Sequence, residues 1–239
     1  MDDLPEVSIL IPVFERSEFL NLTLFNIKSQ TYPHNKLRVV IDECKSANPF
    51  IKGLDEYKQV SDYLYPIPVI HNVYPNKSPI GFKRNRLVKT AQTKYCQFFD
   101  TDDLYKPNAI RYNYDLLREK RVKCVGSDKM IFCYTNDDFK LTGIDCGNLI
   151  HMIHEATLFF DRKWFASTPK FATNSKGEGK KLLEGMSPKL VAISDVMRVM
   201  ICLVHQTNTI SKDRFKSNLV DINPDVATFL KGILNKEKD

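Results

Sequence analysis

The chain has 239 residues, 43% of them hydrophobic and 27% charged, the balance of an ordinary globular protein, which excludes a disordered chain. Its formal net charge of +6 is spread without a dominant basic block, so no nucleic-acid partner is expected and a small anionic ligand accounts for the excess. No apolar run reaches the roughly 18 residues of a transmembrane helix, and the acidic opening Met1-Asp2-Asp3-Leu4-Pro5-Glu6 lacks the basic region of a secretory signal, so a cytoplasmic protein is expected.

Val7 to Ile11 is a nearly continuous β-rich run, the pattern of a strand covered on both faces, and Pro12 is expected to end it because proline cannot serve a central ladder. No glycine precedes Gly53, so neither a GxGxxG turn nor a Walker loop follows this strand, and a nucleotide has to be held by other means. Ser17 suits the cap of a helix carrying Leu20, Leu24 and Ile27 at helical spacing, which Gln30-Thr31-Tyr32-Pro33 stops. Leu37 to Ile41 reads as a second buried strand ending at Asp42-Glu43, completing a strand-helix-strand unit. A helix over 54–64 and a short strand over 66–71 follow. Ser78 and Pro79 then match the cap and first position of a helix with Leu87, Val88 and Ala91 on its buried face.

That helix carries its charges backwards. Lys83, Arg84 and Arg86 lie in its first turns, where the helix dipole favours an anion. A bound diphosphate would resolve the conflict by using the helix end and the basic side chains together; the alternative is three solvated surface cations. Directly after it, the strand-like run Tyr95 to Phe99 stops at Asp100-Thr101-Asp102-Asp103. Carboxylates this crowded raise one another's pKa, so cationic side chains or a hard divalent cation such as Mn²⁺ or Mg²⁺ are expected beside them. The plainer alternative is a solvated acidic turn in which Asp103 caps the next helix.

Lys106-Pro107-Asn108 opens that helix, with Ala109, Tyr112, Leu116 and Leu117 on one side. Two β-like runs at 122–126 and 129–134 lead into a polar hairpin turn over 135–140. Ala156 to Phe160 is another strand candidate, Lys170 to Lys181 a polar, mobile-looking loop around Gly177-Glu178-Gly179, 197–205 a last strand, and Asp225 to Leu234 a helical tail. Cys44, Cys96, Cys124, Cys133, Cys146 and Cys202 form no CxxC pair and read as buried free thiols rather than disulfides or zinc ligands.

In an open α/β sheet, ligands sit outside the carboxyl ends of the strands. Three such ends here carry polar groups: Pro12-Val13-Phe14-Glu15, Asp42-Glu43, and Asp100 to Asp103. With the basic helix start they suggest a site for a nucleotide diphosphate and its metal. Val7 to Phe14, Ser29-Gln30-Thr31-Tyr32-Pro33, Lys83-Arg84-Asn85-Arg86 and Phe99-Asp100-Thr101-Asp102-Asp103 resemble, in that order, the motifs of GT-A fold, family 2 glycosyltransferases. The later half, with His154-Glu155-Ala156-Thr157, Gly177-Glu178-Gly179 and His205-Gln206-Thr207-Asn208-Thr209, more loosely resembles compact members encoded by large DNA viruses.

The resemblance implies one α/β domain over 1–239 with a mixed, mainly parallel sheet flanked by helices: a nucleotide-sugar half over 1–104, an acceptor and catalytic half over 105–215, and a helical tail over 216–239. It implies a metal-dependent inverting transfer from a nucleotide sugar, a UDP-sugar in the first instance, to a hydroxyl of a glycan or glycoprotein. Pro12, Val13, Phe14, Glu15 and Asp42 would line the base pocket, Lys83 would lie near the diphosphate and Arg84 near the base or the diphosphate, and Asp100 would contact the ribose or the metal. Asp102 would be the principal ligand of Mn²⁺ or Mg²⁺, with His205 as a further one, and Asp103 would be structural. Inversion needs a base for the acceptor hydroxyl. The family's Glu-Asp pair here reads Glu178-Gly179, which makes Glu178 the candidate and leaves Glu155, Glu184 and Asp195 open. Asp42-Glu43-Cys44-Lys45 likewise departs from the family's Asp-Asp-Gly-Ser and leaves open which nucleotide base is read there. A non-catalytic nucleotide-sugar or carbohydrate-binding module that has lost its base and a sugar-phosphate nucleotidyltransferase are the competing readings; this chain lacks the glycine-rich loop that the latter carries after its first strand.

Overall fold

The structure, a computed structural model, describes residues 4–173, 177–206, 208 and 212–216; the tail helix expected over Asp225–Leu234 lies outside them. Strands β1 (Val7–Val13), β2 (Leu37–Cys44), β3 (Val69–Tyr74) and β4 (Tyr95–Phe98) pair in parallel in the order β3-β2-β1-β4. Helices α1 (Leu20–Lys28), α2 (Gly53–Leu64) and α3 (Ile80–Thr90) connect them. Alternation along β1 sets the layers. Val7, Ile9, Ile11 and Val13 join the core that holds Leu22 and Ile27 of α1 and Val60 and Leu64 of α2. Leu10 points the other way, into a second core with Leu87 and Val88 of α3. Ser8, buried on that face, is satisfied by the Thr93 hydroxyl at 2.8 Å.

The sheet grows outward from β1 through β2 to β3 and then jumps to the other side of β1 to place β4. That reversal leaves a crevice at the carboxyl ends of β1 and β4, the position where such sheets bind ligands. Beyond β4 the sheet continues through antiparallel β9 (Phe159–Asp161) to β6 (Cys124–Gly126) and β10 (Val191–Ile193), which pair in parallel. A second sheet, of order β5-β11-β7-β8, joins β5 (Asp103–Tyr105), β11 (Met200–Val204), β7 (Lys129–Tyr134) and β8 (Lys140–Asp145). Helices α4 (Ala109–Lys120), α5 (Arg162–Ala166) and α6 (Lys180–Glu184) complete the α-helices among the described residues. All six cysteines are free; five are buried and Cys146 is partly exposed.

Several local expectations are corrected. Pro12 does not end β1; it lies opposite Asp42 inside the strand. It is tolerated because β4 pairs with β1 only as far as Leu10, so no ladder bond is waiting for the missing N–H. Ser17 makes no capping bond. It begins a 3-10 turn, Ser17–Phe19, and Phe19, buried against the His205 ring at 4.6 Å between centroids, stands at the N-cap of α1. Pro79, not Ser78, is the N-cap of α3. The second strand runs on through Asp42, Glu43 and Cys44, while the hairpin turn expected over 135–140 does return the chain, into antiparallel β8. Asp103 caps no helix: it sits in β5 opposite Cys202, where its Oδ1 accepts a hydrogen bond from the Leu203 N–H at 3.2 Å. The Asn26 side chain locks β5 from the other side, donating to the Asp103 carbonyl at 2.7 Å and accepting from the Tyr105 N–H at 2.9 Å.

Candidate active site

The chain leaves β1 through Glu15, whose φ of 52° is in the left-handed region that a non-glycine residue adopts at some energetic cost, a feature concentrated at functional sites. Next to this turn β4 ends and the acidic turn begins. It is held by α1, where the Thr23 hydroxyl donates to the Thr101 carbonyl at 3.3 Å, and by Tyr105, whose hydroxyl accepts from the Asp100 N–H at 2.9 Å and donates to the Ala156 carbonyl at 3.1 Å. The Tyr105 ring stacks on Phe99 at 3.7 Å between centroids.

The three aspartates of this turn diverge. Asp100 Oδ2 takes a charge-assisted hydrogen bond from Arg84 Nη2 at 2.9 Å, while its Oδ1 is buried without a hydrogen-bond partner among the described residues. Asp102 Oδ2 lies 3.2 Å from His205 Nε2 and 3.6 Å from Arg16 Nε. Burial pushes the Asp102 pKa up, but His205 and Arg16 outweigh it and hold the carboxyl below its usual range. Asp103 is buried, and burial together with Asp102 and Asp100 raises its pKa well above that range.

Lys83, Arg84 and Arg86 of α3 are not solvated surface cations, nor do they line up at the helix start. Arg84 is 2% exposed. It lies over the Phe98 ring at 4.9 Å, with Nη2 on Asp100 and Nε 3.5 Å from Glu178 Oε1. Burial alone would lower its pKa, yet Asp100, Glu178 and Glu155 together raise it. Its Nη1 is buried and has no hydrogen-bond partner among the described residues. The Lys83 ammonium reaches back to the Val13 carbonyl and lies 5.4 Å from the Phe14 ring, which Lys77 also approaches at 4.2 Å. Arg86 forms a bidentate pair with Asp42, at 2.7 and 2.8 Å, and stacks on Tyr74 at 3.5 Å. The misplaced charges therefore bridge helix α3 to the ends of β1, β2 and β4, where each finds an acceptor. Asp42 offers no free carboxylate, since Arg86 takes both oxygens; burial still raises its pKa against that pairing.

Glu178 corrects the expected polar loop. It is buried, with its Cβ packed against Gly81 of α3: a Cβ added at Gly81 would lie 2.9 Å from it and would overlap the Ala172 carbonyl oxygen. Burial raises the Glu178 pKa, Arg84 lowers it and Glu155 raises it again. Glu155 accepts a hydrogen bond from the Gly179 N–H at 3.0 Å. The other two carboxylates considered for the base serve elsewhere. Glu184 is exposed and lies 3.9 Å from Lys180 on α6, and Asp195 caps the short turn Val196–Arg198 by accepting from the Met197 N–H. Arg16, Tyr105 and the approach of Glu155 to Gly179 were not found from the sequence; none sits in a local pattern that distinguishes it.

No three His, Cys, Asp or Glu side chains converge on a metal position among the described residues. The expected trio is divided: Asp102 and His205 meet, while Asp100 turns to Arg84. Two protein donors still fit Mn²⁺ or Mg²⁺, which fill their remaining positions with water and substrate phosphate oxygens.

A sequence model of the family described as Glycosyl transferase family 2 matches residues 8–176. The putative teichuronic acid biosynthesis glycosyltransferase TuaG of Bacillus subtilis is 22% identical over 116 residues, 48% of this chain and 43% of that protein. Among solved structures, S. aureus TarS 1-349 in complex with UDP-GlcNAc superposes with a TM-score of 0.63 at 12% identity, over 96% of this chain and 65% of that one. The mannosyltransferase PcManGT from Pyrobaculum calidifontis in complex with GDP-Man and Mn²⁺ superposes with a TM-score of 0.60 at 16% identity, over 82% and 58%. At these identities the two structures share the fold. The chain spans less than two thirds of the length of each of these three proteins.

Proposed function

The chain belongs to glycosyl transferase family 2, and from that premise we propose that it moves a sugar, with inversion, from a nucleotide-sugar donor to a hydroxyl of a glycan or glycoprotein acceptor. A UDP-sugar is the first donor to test. The observation that supports this reading best is at the carboxyl end of β4, where Arg84 Nη1 and Asp100 Oδ1 are buried without hydrogen-bond partners among the described residues. Buried polar groups this costly to leave unsatisfied are expected to meet a polar ligand.

In this reading Pro12, Val13, Phe14 and Glu15 wall the base pocket together with Asp42 and its partner Arg86, Lys83 stands near the diphosphate, and Asp100 meets the ribose. Asp102 and His205 would hold Mn²⁺ or Mg²⁺, which when bound supplies positive charge to a departing diphosphate. Arg84 keeps Asp100 aimed and adds cationic character to the floor of the crevice. The acceptor proton goes to a carboxylate of the Glu178 and Glu155 pair, both close enough to Arg84 to act on its charge. The donor half over 1–104 and the acceptor half over 105–215 follow the same division, the acidic turn lying at their junction. The looser likeness of the later half to viral members rests on its motifs alone. A cytoplasmic setting is supported by the six free thiols; no helix among the described residues is long and apolar enough to cross a membrane.

The direct test is a thermal-shift screen of UDP-, GDP- and dTDP-sugars with and without Mn²⁺, since a ligand that binds the folded state raises its apparent stability. A shift that needs both donor and Mn²⁺ supports the reading, and the absence of a shift with all donors overturns it.

A further inference from the structure

We propose that Glu155 is the general base of this transfer, and that Gly179 is a glycine so that the Glu155 carboxylate can occupy the space a side chain at 179 would fill. The inference rests on the nucleotide-sugar reading above.

Two glycines flank Glu178, and they are there for different reasons. Gly177 has a φ of 62°, a backbone conformation that itself favours glycine. Gly179, at φ −80° and ψ −17°, has a backbone that any residue adopts. What a side chain at 179 would meet is Glu155: a Cβ there would lie 2.6 Å from its Cγ and 2.8 Å from its Cδ. Glu155 Oε1 takes the Gly179 N–H at 3.0 Å, so the glutamate is seated in that space by a hydrogen bond rather than passing near it.

Glu155 is also tied to the acidic turn. It opens the short turn Glu155–Thr157, and the carbonyl of its neighbour Ala156 receives the Tyr105 hydroxyl that in turn accepts the Asp100 N–H. Two consecutive hydrogen bonds through a buried tyrosine therefore set the distance between this turn and the end of β4. The two acidic side chains beside Arg84 are not equivalent. Glu178 has a side chain 9% exposed and stands 3.5 Å from Arg84 Nε, so it is shut away from an incoming hydroxyl and its carboxylate is engaged by the guanidinium. Glu155 is half-buried, which keeps it open to an incoming hydroxyl, and its hydrogen-bond donor is a neutral amide. Glu178 is then a positioning residue that holds Arg84.

In the step itself the acceptor hydroxyl oxygen forms a bond to the anomeric carbon as its proton passes to Glu155. The bond from that carbon to the diphosphate oxygen breaks, and its electron pair leaves with the nucleoside diphosphate. Glu155, now neutral, returns its proton to solvent.

The test uses the full chain with UDP-glucose, UDP-GlcNAc and GDP-mannose in the presence of Mn²⁺, with water as acceptor and released nucleoside diphosphate as the readout. Glu155→Gln retains an oxygen for the Gly179 amide; it is expected to keep the donor Kd while turnover falls by about 100-fold or more. In Glu155→Ala, added formate is expected to restore part of the turnover by entering the vacated space. The double variant Glu155→Ala with Gly179→Asp, which moves the carboxylate to the other side of that space, is expected to exceed Glu155→Ala alone. Glu178→Gln is expected to alter KM more than kcat. Turnover of Glu155→Gln within about 3-fold of the wild type overturns the assignment, as does formate rescue confined to Glu178→Ala. A wild type that binds none of the three donors instead overturns the nucleotide-sugar reading, and this one with it.

Discussion

Arg84 Nη2 lies 2.9 Å from Asp100 Oδ2, and this contact joins the middle of a helix to the end of the neighbouring strand through a guanidinium that is 2% exposed. Removing one member of a buried ion pair strands its partners. Arg84→Met leaves Asp100 and Glu178 without their shared counter-charge and is expected to cost about 3 kcal/mol in a urea titration. Adding Glu178→Gln to Arg84→Met should recover part of the loss, because the two residues interact directly. A cost below about 1 kcal/mol would mean that the cluster is solvated and contributes little to the fold.

Asp102 carries the metal assignment with His205. Asp102→Asn keeps the size of the side chain and removes its charge, so the fold is expected to survive while Mn²⁺-dependent donor binding and transfer are lost. Calorimetric titration of UDP with and without Mn²⁺ reads the first, and full transfer activity in this variant would remove Asp102 from the site.

Burial pushes the His154 pKa down from 6.5 to about 4, so the imidazole is neutral in the folded protein. Between those two values the unfolded chain binds more protons than the folded one, and stability therefore rises with pH in that interval. Its contribution is complete above about pH 6.5 and is lost as the pH falls towards about 4. Urea midpoints at about pH 7 and about pH 5 should drop further for the wild type than for His154→Gln; equal drops would show that another group carries the acid sensitivity.

Gly81 is the point where α3 meets the segment that carries Glu178. A methyl group there overlaps the Ala172 carbonyl oxygen and crowds Glu178 Cβ, so Gly81→Ala is expected to destabilise by about 1 to 3 kcal/mol and to slow transfer by unseating Glu178. Calorimetric melting together with nucleoside diphosphate release reports both effects, and an unchanged melting temperature would show that the segment yields without cost.

Much of the scaffold was legible in the chain. The run Val7 to Ile11 could only be a strand covered on both faces, and Tyr95 to Phe98 likewise, because such apolar runs are stable only when both sides are buried. The abrupt change from Phe99 to Asp100 marked the strand end that faces the crevice. Boundaries were less legible. Pro12 stays in β1 because its neighbour β4 has already ended, a fact about pairing that no local pattern records. Asp103 looked like a helix cap because it precedes a helical pattern, whereas β5 pairs with β11, a strand about a hundred residues later in the chain.

By itself, then, the sequence determined the parallel strands β1 to β4, the helices that join them and the carboxylates at the end of β4, since these follow from short-range periodicity and from the burial of apolar runs. Tertiary structure decided which charges meet. Arg84 turns inward to Asp100 and Glu178, Arg86 to Asp42, Asp102 to His205, and Glu155 fills the space beside Gly179. Each of those pairings joins separate elements, and each is selected because a charge or polar group removed from water must find a partner wherever packing brings one within reach.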